Sequence, residues 1–311
     1  MKRGALGPET VGLLLLIPPP LFWAGNFIVG RAMRGDVPPL TLSFWRWAIA
    51  FVCLLPFAWR PMRRDRALYW RHRWLILRIT IVGVVAFNSL VYVGLQWTAA
   101  ANGLLLNSFI PILIVLFGAV FFGQRLRPAQ GFGMALSFAG VLTIILHGEW
   151  ARLLTLEFSR GDVVVFAAMV CWAFYTLWLR AVPPEIDRIG LMGVQIGVAF
   201  VFLVPMYLGE LAYGYAPVWR VESFGALAYL GIFPSVLAYL FYNIGVARVG
   251  AARAGLFTHL IPAFGVVLAV VFLHEPIHAY HAVGMAAILA GIACAVRAPT
   301  APQPLAADAQ K

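Results

Sequence analysis

Residues 100–141 read AANGLLLNSFIPILIVLFGAVFFGQRLRPAQGFGMALSFAGV, and residues 251–292 read AARAGLFTHLIPAFGVVLAVVFLHEPIHAYHAVGMAAILAGI. At a spacing of 151 the two stretches share Ala100/Ala251, Ile110/Ile261, Pro111/Pro262, Phe121/Phe272, Gly133/Gly284, Met134/Met285, Ala135/Ala286 and Gly140/Gly291. Each copy is a long apolar helix with a proline in its interior, a short polar break, and a second apolar helix. The small residues of that second helix are of the kind that let helices pack closely in lipid. A period of about half the chain is an internal duplication rather than a solenoid. Two such halves forming one machine are commonest in membrane transporters.

Composition agrees with a chain built for lipid. It is 62% hydrophobic and 11% charged, with a mean hydropathy of +0.88, against roughly 25% charged residues in a soluble domain. A spanning helix needs roughly 20 apolar residues, so 311 residues hold ten spans with short connections and leave no soluble domain. Cys53, Cys171 and Cys294 lie far apart inside apolar runs; they read as core residues, not as a disulfide framework or metal site.

Spans are predicted at 11–31, 40–59, 74–96, 101–122, 129–147, 161–181, 188–209, 222–247, 253–273 and 279–297. The first follows Lys2 and Arg3 but lacks a clear cleavage site, so it reads as a retained span. With the N-terminus inside, the inner segments hold 16 Lys and Arg and the outer segments hold 5, with Arg46 and Arg78 within spans. That asymmetry predicts cytoplasmic termini and explains the net charge of +11 without nucleic acid as a partner. The joint from Thr98 to Asn102, mostly alanine, is predicted to be tight.

The duplication extends to the earlier spans at a spacing of 149: Trp23, Ala24, Arg31, Ala50, Phe51, Val52, Leu54 and Pro56 match Trp172, Ala173, Arg180, Ala199, Phe200, Val201, Leu203 and Pro205. Each repeat therefore holds five spans, and an odd number inverts the second copy about a pseudo-two-fold axis in the membrane plane. The predicted fold is an all-α membrane protein of ten transmembrane helices in two inverted five-helix repeats. Residues 1–10 form an N-terminal segment, 11–147 the first repeat, 148–160 a linker, 161–297 the second repeat, and 298–311 a tail rich in alanine and proline that is predicted to be disordered.

These features resemble the drug/metabolite transporter superfamily, specifically its EamA-type members. The resemblance rests on the tryptophan-bearing first span of each repeat (Phe22-Trp23-Ala24-Gly25-Asn26-Phe27 in the first), on Phe44-Trp45-Arg46-Trp47 through Leu55-Pro56, and on the helix with proline at Asn107–Pro111. The break Gly123-Gln124-Arg125-Leu126 and its echo His274-Glu275-Pro276 complete it, over about residues 11 to 297. The family often has glutamate at the first break, where this chain has Gln124. The resemblance implies a multi-pass inner-membrane carrier of the amino-acid exporter kind, without a cofactor, acting on a small molecule by alternating access and expected to be monomeric.

Candidate site residues come from the kinks and the repeats. Proline within a helix leaves the carbonyl four residues earlier without its donor; those carbonyls belong to Asn107 for Pro111 and to Thr258 for Pro262. The polar pairs Asn107-Ser108 and Thr258-His259 stand there, either facing a central cavity or satisfying the kink. Asn88 and Tyr92 share one helix face, and at the repeat spacing they become Tyr239 and Asn243. With Tyr242 beside them, they read as a cavity lining, or else as interhelical glue. Trp23 and Trp172, with Asn26 and Tyr175 nearby, fall near mid-span and suit an aromatic wall for apolar, aromatic or cationic substrates.

Arg46, whose counterpart is Gln195, reads first as a snorkelling residue and second as a charge that attracts a substrate carboxylate at the outer mouth. No Asp or Glu falls in the interior of a predicted span, Asp162, Glu210, Glu222 and Glu275 all sitting near ends, so His259 is the interior candidate for proton coupling. The expected pocket is wet and uncharged. A sugar-phosphate carrier should place several cations there; an enzyme needs a clustered base, nucleophile or metal ligands, and no metal site is read; a receptor or structural role predicts no flux.

Overall fold

The computed structural model describes residues 7–98, 100–155, 159–273 and 276–297. Residues 1–6, Ala99 in the predicted tight joint, His274 and Glu275 of the second break, and the tail 298–311 lie outside the described residues, as does the side chain of Arg31. Among the described residues ten helices are long and apolar enough to cross a membrane. They are α1 (Pro8–Gly30), α2 (Pro39–Arg64), α3 (Arg73–Gly94), α4 (Asn102–Phe122), α5 (Pro128–Ile145), α6 (Arg160–Leu179), α7 (Arg188–Ala212), α8 (Val221–Val249), α9 (Ala251–Phe272) and α10 (Ala279–Arg297). Helix α2 runs past its predicted end at 59 because its last turn carries arginines, which suit a helix C-terminus at the membrane surface.

The pairing of helices follows the inverted duplication. Helix α5 packs on its equivalent α10, α2 on α7, and α4 on α9, while the contact of α3 with α6 is repeated by that of α8 with α1. The α5–α10 seam is backbone on backbone. A Cβ on Gly133 would come within 2.5 Å of the Gly291 carbonyl oxygen, and one on Gly140 within 2.6 Å of that of Gly284. The repeat thus places glycine opposite glycine, and side chains there would force the helices apart.

Helices α2 and α7 cap one another. The Glu210 carboxylate near the end of α7 accepts from the backbone N–H groups of Leu40 and Thr41 at 3.0 and 2.6 Å and from the Thr41 hydroxyl at 2.8 Å. At the other end Asp65, just past α2, accepts from the Asp187 N–H at 3.2 Å. Each carboxylate satisfies donors that a helix start leaves unpaired.

Both α3 and α8 contain one turn of π-helix, Thr80–Ala86 and Gly231–Leu237, which are the same seven positions of the repeat. Hydropathy gives no hint of these turns, since widening a helix by one residue leaves its apolar count unchanged. A second departure from expectation concerns the cysteines. Cys53 and Cys294 are exposed on the bundle's outer surface and Cys171 is half-buried, so the core reading was incorrect. In a helix apolar all round, composition cannot separate the packed face from the lipid face.

Candidate functional site

The two repeats meet on a line where equivalent residues touch each other, as a two-fold axis requires. Trp23 and Trp172 form an edge-to-face pair with centroids 5.1 Å apart. Asn88 donates from Nδ2 to the Tyr239 hydroxyl at 2.9 Å. His259 Nε2 lies 2.9 Å from the Ser108 carbonyl oxygen. Each of these pairs joins one position of the first repeat to the same position of the second.

A small cavity opens at this axis. Its walls are Trp23, Asn26 and Phe27 of α1, Arg46 of α2, Phe87 and Asn88 of α3, Asn107 and Ile110 of α4, Trp172 of α6, and Thr258 and Ile261 of α9. Of these, Trp23/Trp172, Asn107/Thr258 and Ile110/Ile261 are equivalents; the remaining walls come from the first repeat. The enclosed volume is about 20 Å³, where one water needs roughly 10–15 Å³ on the same measure. The space holds about one water.

Besides three wall residues, the second repeat contributes a plug of tyrosines. Tyr175, Tyr239 and Tyr242 are all at most 1% exposed, and their rings lie 5.0, 5.2 and 5.3 Å from that of Trp172. Tyr175 donates to Asn243 Oδ1 at 2.8 Å, and the Tyr242 and Thr176 hydroxyls are 3.0 Å apart. Tyr175, Tyr239, Tyr242 and Asn243, expected to line the pocket, are therefore sealed beneath it. Hydroxyls in the interior of a membrane bundle find protein partners when water is absent, and these do.

The expectation that Asn88 and Tyr92 act as one pair is also revised. Asn88 turns to Tyr239 and to the Gly83 and Val84 carbonyls of the π-turn, at 3.3 and 3.1 Å. Tyr239 itself donates to Gly83 O at 2.7 Å. The widened turn exposes carbonyls that these two side chains satisfy. Tyr92 instead donates to Asn26 Oδ1 at 2.7 Å. In the other π-turn the carbonyl of Pro234 accepts from Trp23 Nε1 at 3.1 Å.

The hydroxyls at the kinks bond carbonyls other than those of Asn107 and Thr258, which the prolines leave without a donor. Asn107 and Thr258 reach the cavity, while the Ser108 and Thr258 hydroxyls donate back to the carbonyls of Leu105 and Gly255 at 2.5 and 2.8 Å. Pro111 and Pro262 stand just beyond, Pro111 at the start of the helical segment Ile110–Phe122. His259 is fully buried and does not face the cavity. Its Nε2 meets a carbonyl, which can only accept, so Nε2 carries hydrogen and Nδ1 receives the Ser137 hydroxyl at 2.7 Å.

Arg46 does not snorkel and does not stand at a mouth. It is 1% exposed and drawn inward by three helices: Nε donates to Ser235 Oγ at 2.8 Å, and Nη1 to the Tyr92 hydroxyl at 2.6 Å and to Asn26 Oδ1 at 3.1 Å. The pocket is consequently charged, contrary to expectation. Phe27, Phe87, Ile110 and Ile261 are the wall residues that sequence reasoning missed. Ile110 and Ile261 each precede a repeat proline, a signal available in the alignment of the halves; Phe27 and Phe87 carry none.

Comparison with known proteins agrees with this architecture. A solved crystal structure superposes with a TM-score of 0.73 over 92% of this chain and 96% of that chain, at 22% identity, which shows the fold. The Uncharacterized transporter YyaM of Bacillus subtilis is 25% identical over 90% of this chain and 91% of its own length. An Uncharacterized transporter of Archaeoglobus fulgidus is 29% identical over 90% and 95%. The "Probable terminal-alkyne amino-acid exporter" of Streptantibioticus cattleyicolor is 29% identical over 87% and 88%. The EamA-like transporter family matches twice, over residues 10–146 and 159–297, one match to each five-helix half. This multi-pass membrane protein, built of two inverted halves closed on a shared cavity, belongs to the EamA-like transporter family.

Proposed function

We propose that this protein exports amino acids with neutral or aromatic side chains, or closely related small metabolites, across the inner membrane by alternating access. The observation that carries the reading is the cavity on the axis between the halves, where two tryptophans, three amides and one threonine meet. Amides and hydroxyls suit amino and carboxyl groups, and indole faces suit an apolar side chain. The similarity to an amino-acid exporter of Streptantibioticus cattleyicolor supports the substrate class. A cavity of about 20 Å³ admits no amino acid, so substrate enters when the repeats rock apart and the tyrosine plug around Trp172 separates. The arginine-rich connections support cytoplasmic termini. A single cation in the wall argues against a phosphorylated cargo, which calls for several.

The deciding measurement is flux of labelled L-phenylalanine, L-tryptophan and L-leucine in liposomes holding the purified protein. Saturable movement of at least one, slowed by Trp172→Ala, is expected. Absence of flux for every amino acid tested would remove the amino-acid reading while leaving the family intact.

A further inference from the structure

Arg46 has a counterpart that isolates what its charge is for. In the first repeat Tyr92 donates to Asn26 at 2.7 Å; in the second Tyr175 donates to Asn243 at 2.8 Å. Asn26 and Tyr175 are equivalent positions, and so are Tyr92 and Asn243, so the same phenol–amide bond is built twice with its partners exchanged. The third position of each set is Arg46 in one half and Gln195 in the other. Both are 1% exposed. The frame of the fold is thus assembled once with a cation and once with a neutral amide, and the cation stands in the half that supplies most of the cavity wall.

The cation is also uncompensated. Its three hydrogen bonds go to neutral oxygens, and none of the ion pairs among the described residues includes it. Its second terminal nitrogen, Nη2, bonds to no described residue and is not sealed among the buried unpartnered atoms. The rings of Trp47 and Tyr92, 5.4 and 5.7 Å from the guanidinium carbon, offer only partial relief. A charge held inside a membrane protein is expensive unless paired, and such residues characteristically mark a pathway.

We propose that Arg46, held by Asn26, Tyr92 and Ser235, is the carboxylate-binding group of the cavity, and that the cargo is a monocarboxylate with an apolar side chain. The carboxylate takes the hydrogen-bonding capacity of Nη2 and supplies the missing negative charge. The apolar part lies against Trp23 and Trp172, and Asn107 with Thr258 faces the remaining polar group. With Nε and Nη1 engaged, the one remaining guanidinium nitrogen suits a single carboxylate. This rests on the cavity being the transport site.

The test uses the full chain purified in detergent, with 3-phenylpropionate (carboxylate alone), L-phenylalanine (carboxylate and amine) and phenethylamine (amine alone) as probes, read by calorimetric binding and by flux in liposomes. The wild type is expected to bind the two carboxylates and not the amine. Arg46→Gln, which copies Gln195, is expected to weaken carboxylate binding by about ten- to a hundredfold, and Arg46→Lys by less. Should Arg46→Gln fail to fold, the wild-type ranking of the probes and the Arg46→Lys affinity still decide the matter.

Phenethylamine bound as tightly as phenylpropionate, or carboxylate affinity unchanged in both variants, overturns the proposal while the transport reading stands. Displacement of the carboxylates by millimolar chloride would overturn it too, because the charge would then serve an inorganic ion. If the wild type neither binds nor moves any of the probes, the transport reading for this substrate class fails together with the proposal.

Discussion

His259 Nε2 and the carbonyl oxygen of Ser108 lie 2.9 Å apart, and the two residues are one position of the duplicated unit, separated by 151 in sequence. The bond therefore crosses the axis and ties the kink of α9 to the kink of α4. Ser137 of α5 completes it from the other ring nitrogen at 2.7 Å. With both nitrogens engaged, this histidine is a latch between the halves. His259→Phe is expected to lower stability by about 1–3 kcal/mol, the cost of leaving buried polar groups unpaired, and to leave the pH profile of transport unaltered. Flux measured between pH 5.5 and 8 checks this; a flattened profile would return His259 to a proton-coupling role.

The α5–α10 seam predicts a steric failure. Gly140→Val and Gly133→Val put methyl groups where a bare Cβ already comes within about 2.6 Å of the opposing backbone, so both should lose thermal stability or monodispersity in detergent. Gly209→Ala, where nothing lies within 4 Å, is the matched control and should melt like the wild type. Equal melting of all three proteins would mean that the seam does not hold the halves together.

The Asn88–Tyr239 bond spans the axis at 2.9 Å. A double-mutant cycle of Asn88→Leu and Tyr239→Phe, read by unfolding in micelles, should give a coupling near 0.6 kcal/mol, as for other interhelical hydrogen bonds in membranes. Strict additivity of the two changes would show that each residue serves only the π-turn carbonyls.

Asp65 lies just outside α2, where Arg64 donates to it from Nε at 2.7 Å and from Nη2 at 3.0 Å. The hydrogen bond from Arg64, acting against desolvation, holds this carboxyl below its ordinary range. A depressed carboxyl contributes stability that is complete above its unfolded value, near 4, and is lost as pH falls through the folded value. Melting temperature should therefore fall more steeply for the wild type than for Asp65→Asn as the pH drops from about 5 to about 3. Parallel curves would assign the acid loss to other carboxylates.

Much of the fold was legible because lipid imposes a one-dimensional rule. Backbone groups must bond within each span, so length and apolarity alone mark helices, and the paired prolines at 111 and 262 set the register of the halves. The site was legible only in part. Trp23, Asn26, Asn88, Asn107, Trp172 and Thr258 meet as the repeat alignment implied. Tyr175, Tyr239, Tyr242 and Asn243 satisfy the same alignment but are buried beneath the cavity, because which side chains reach the cavity depends on packing, to which the alignment is blind.

The sequence by itself determined the number of helices, the duplication, the inversion that an odd number of spans forces, and the polar residues available near the axis. Tertiary structure alone decided that Arg46 turns inward, that equivalent residues bond across the axis, and that most of the cavity wall comes from the first half. The physical reason is that hydropathy and spacing report how each segment meets lipid. The direction of a buried side chain is set by partners on other helices, and for Arg46 those partners, Asn26, Tyr92 and Ser235, stand on α1, α3 and α8.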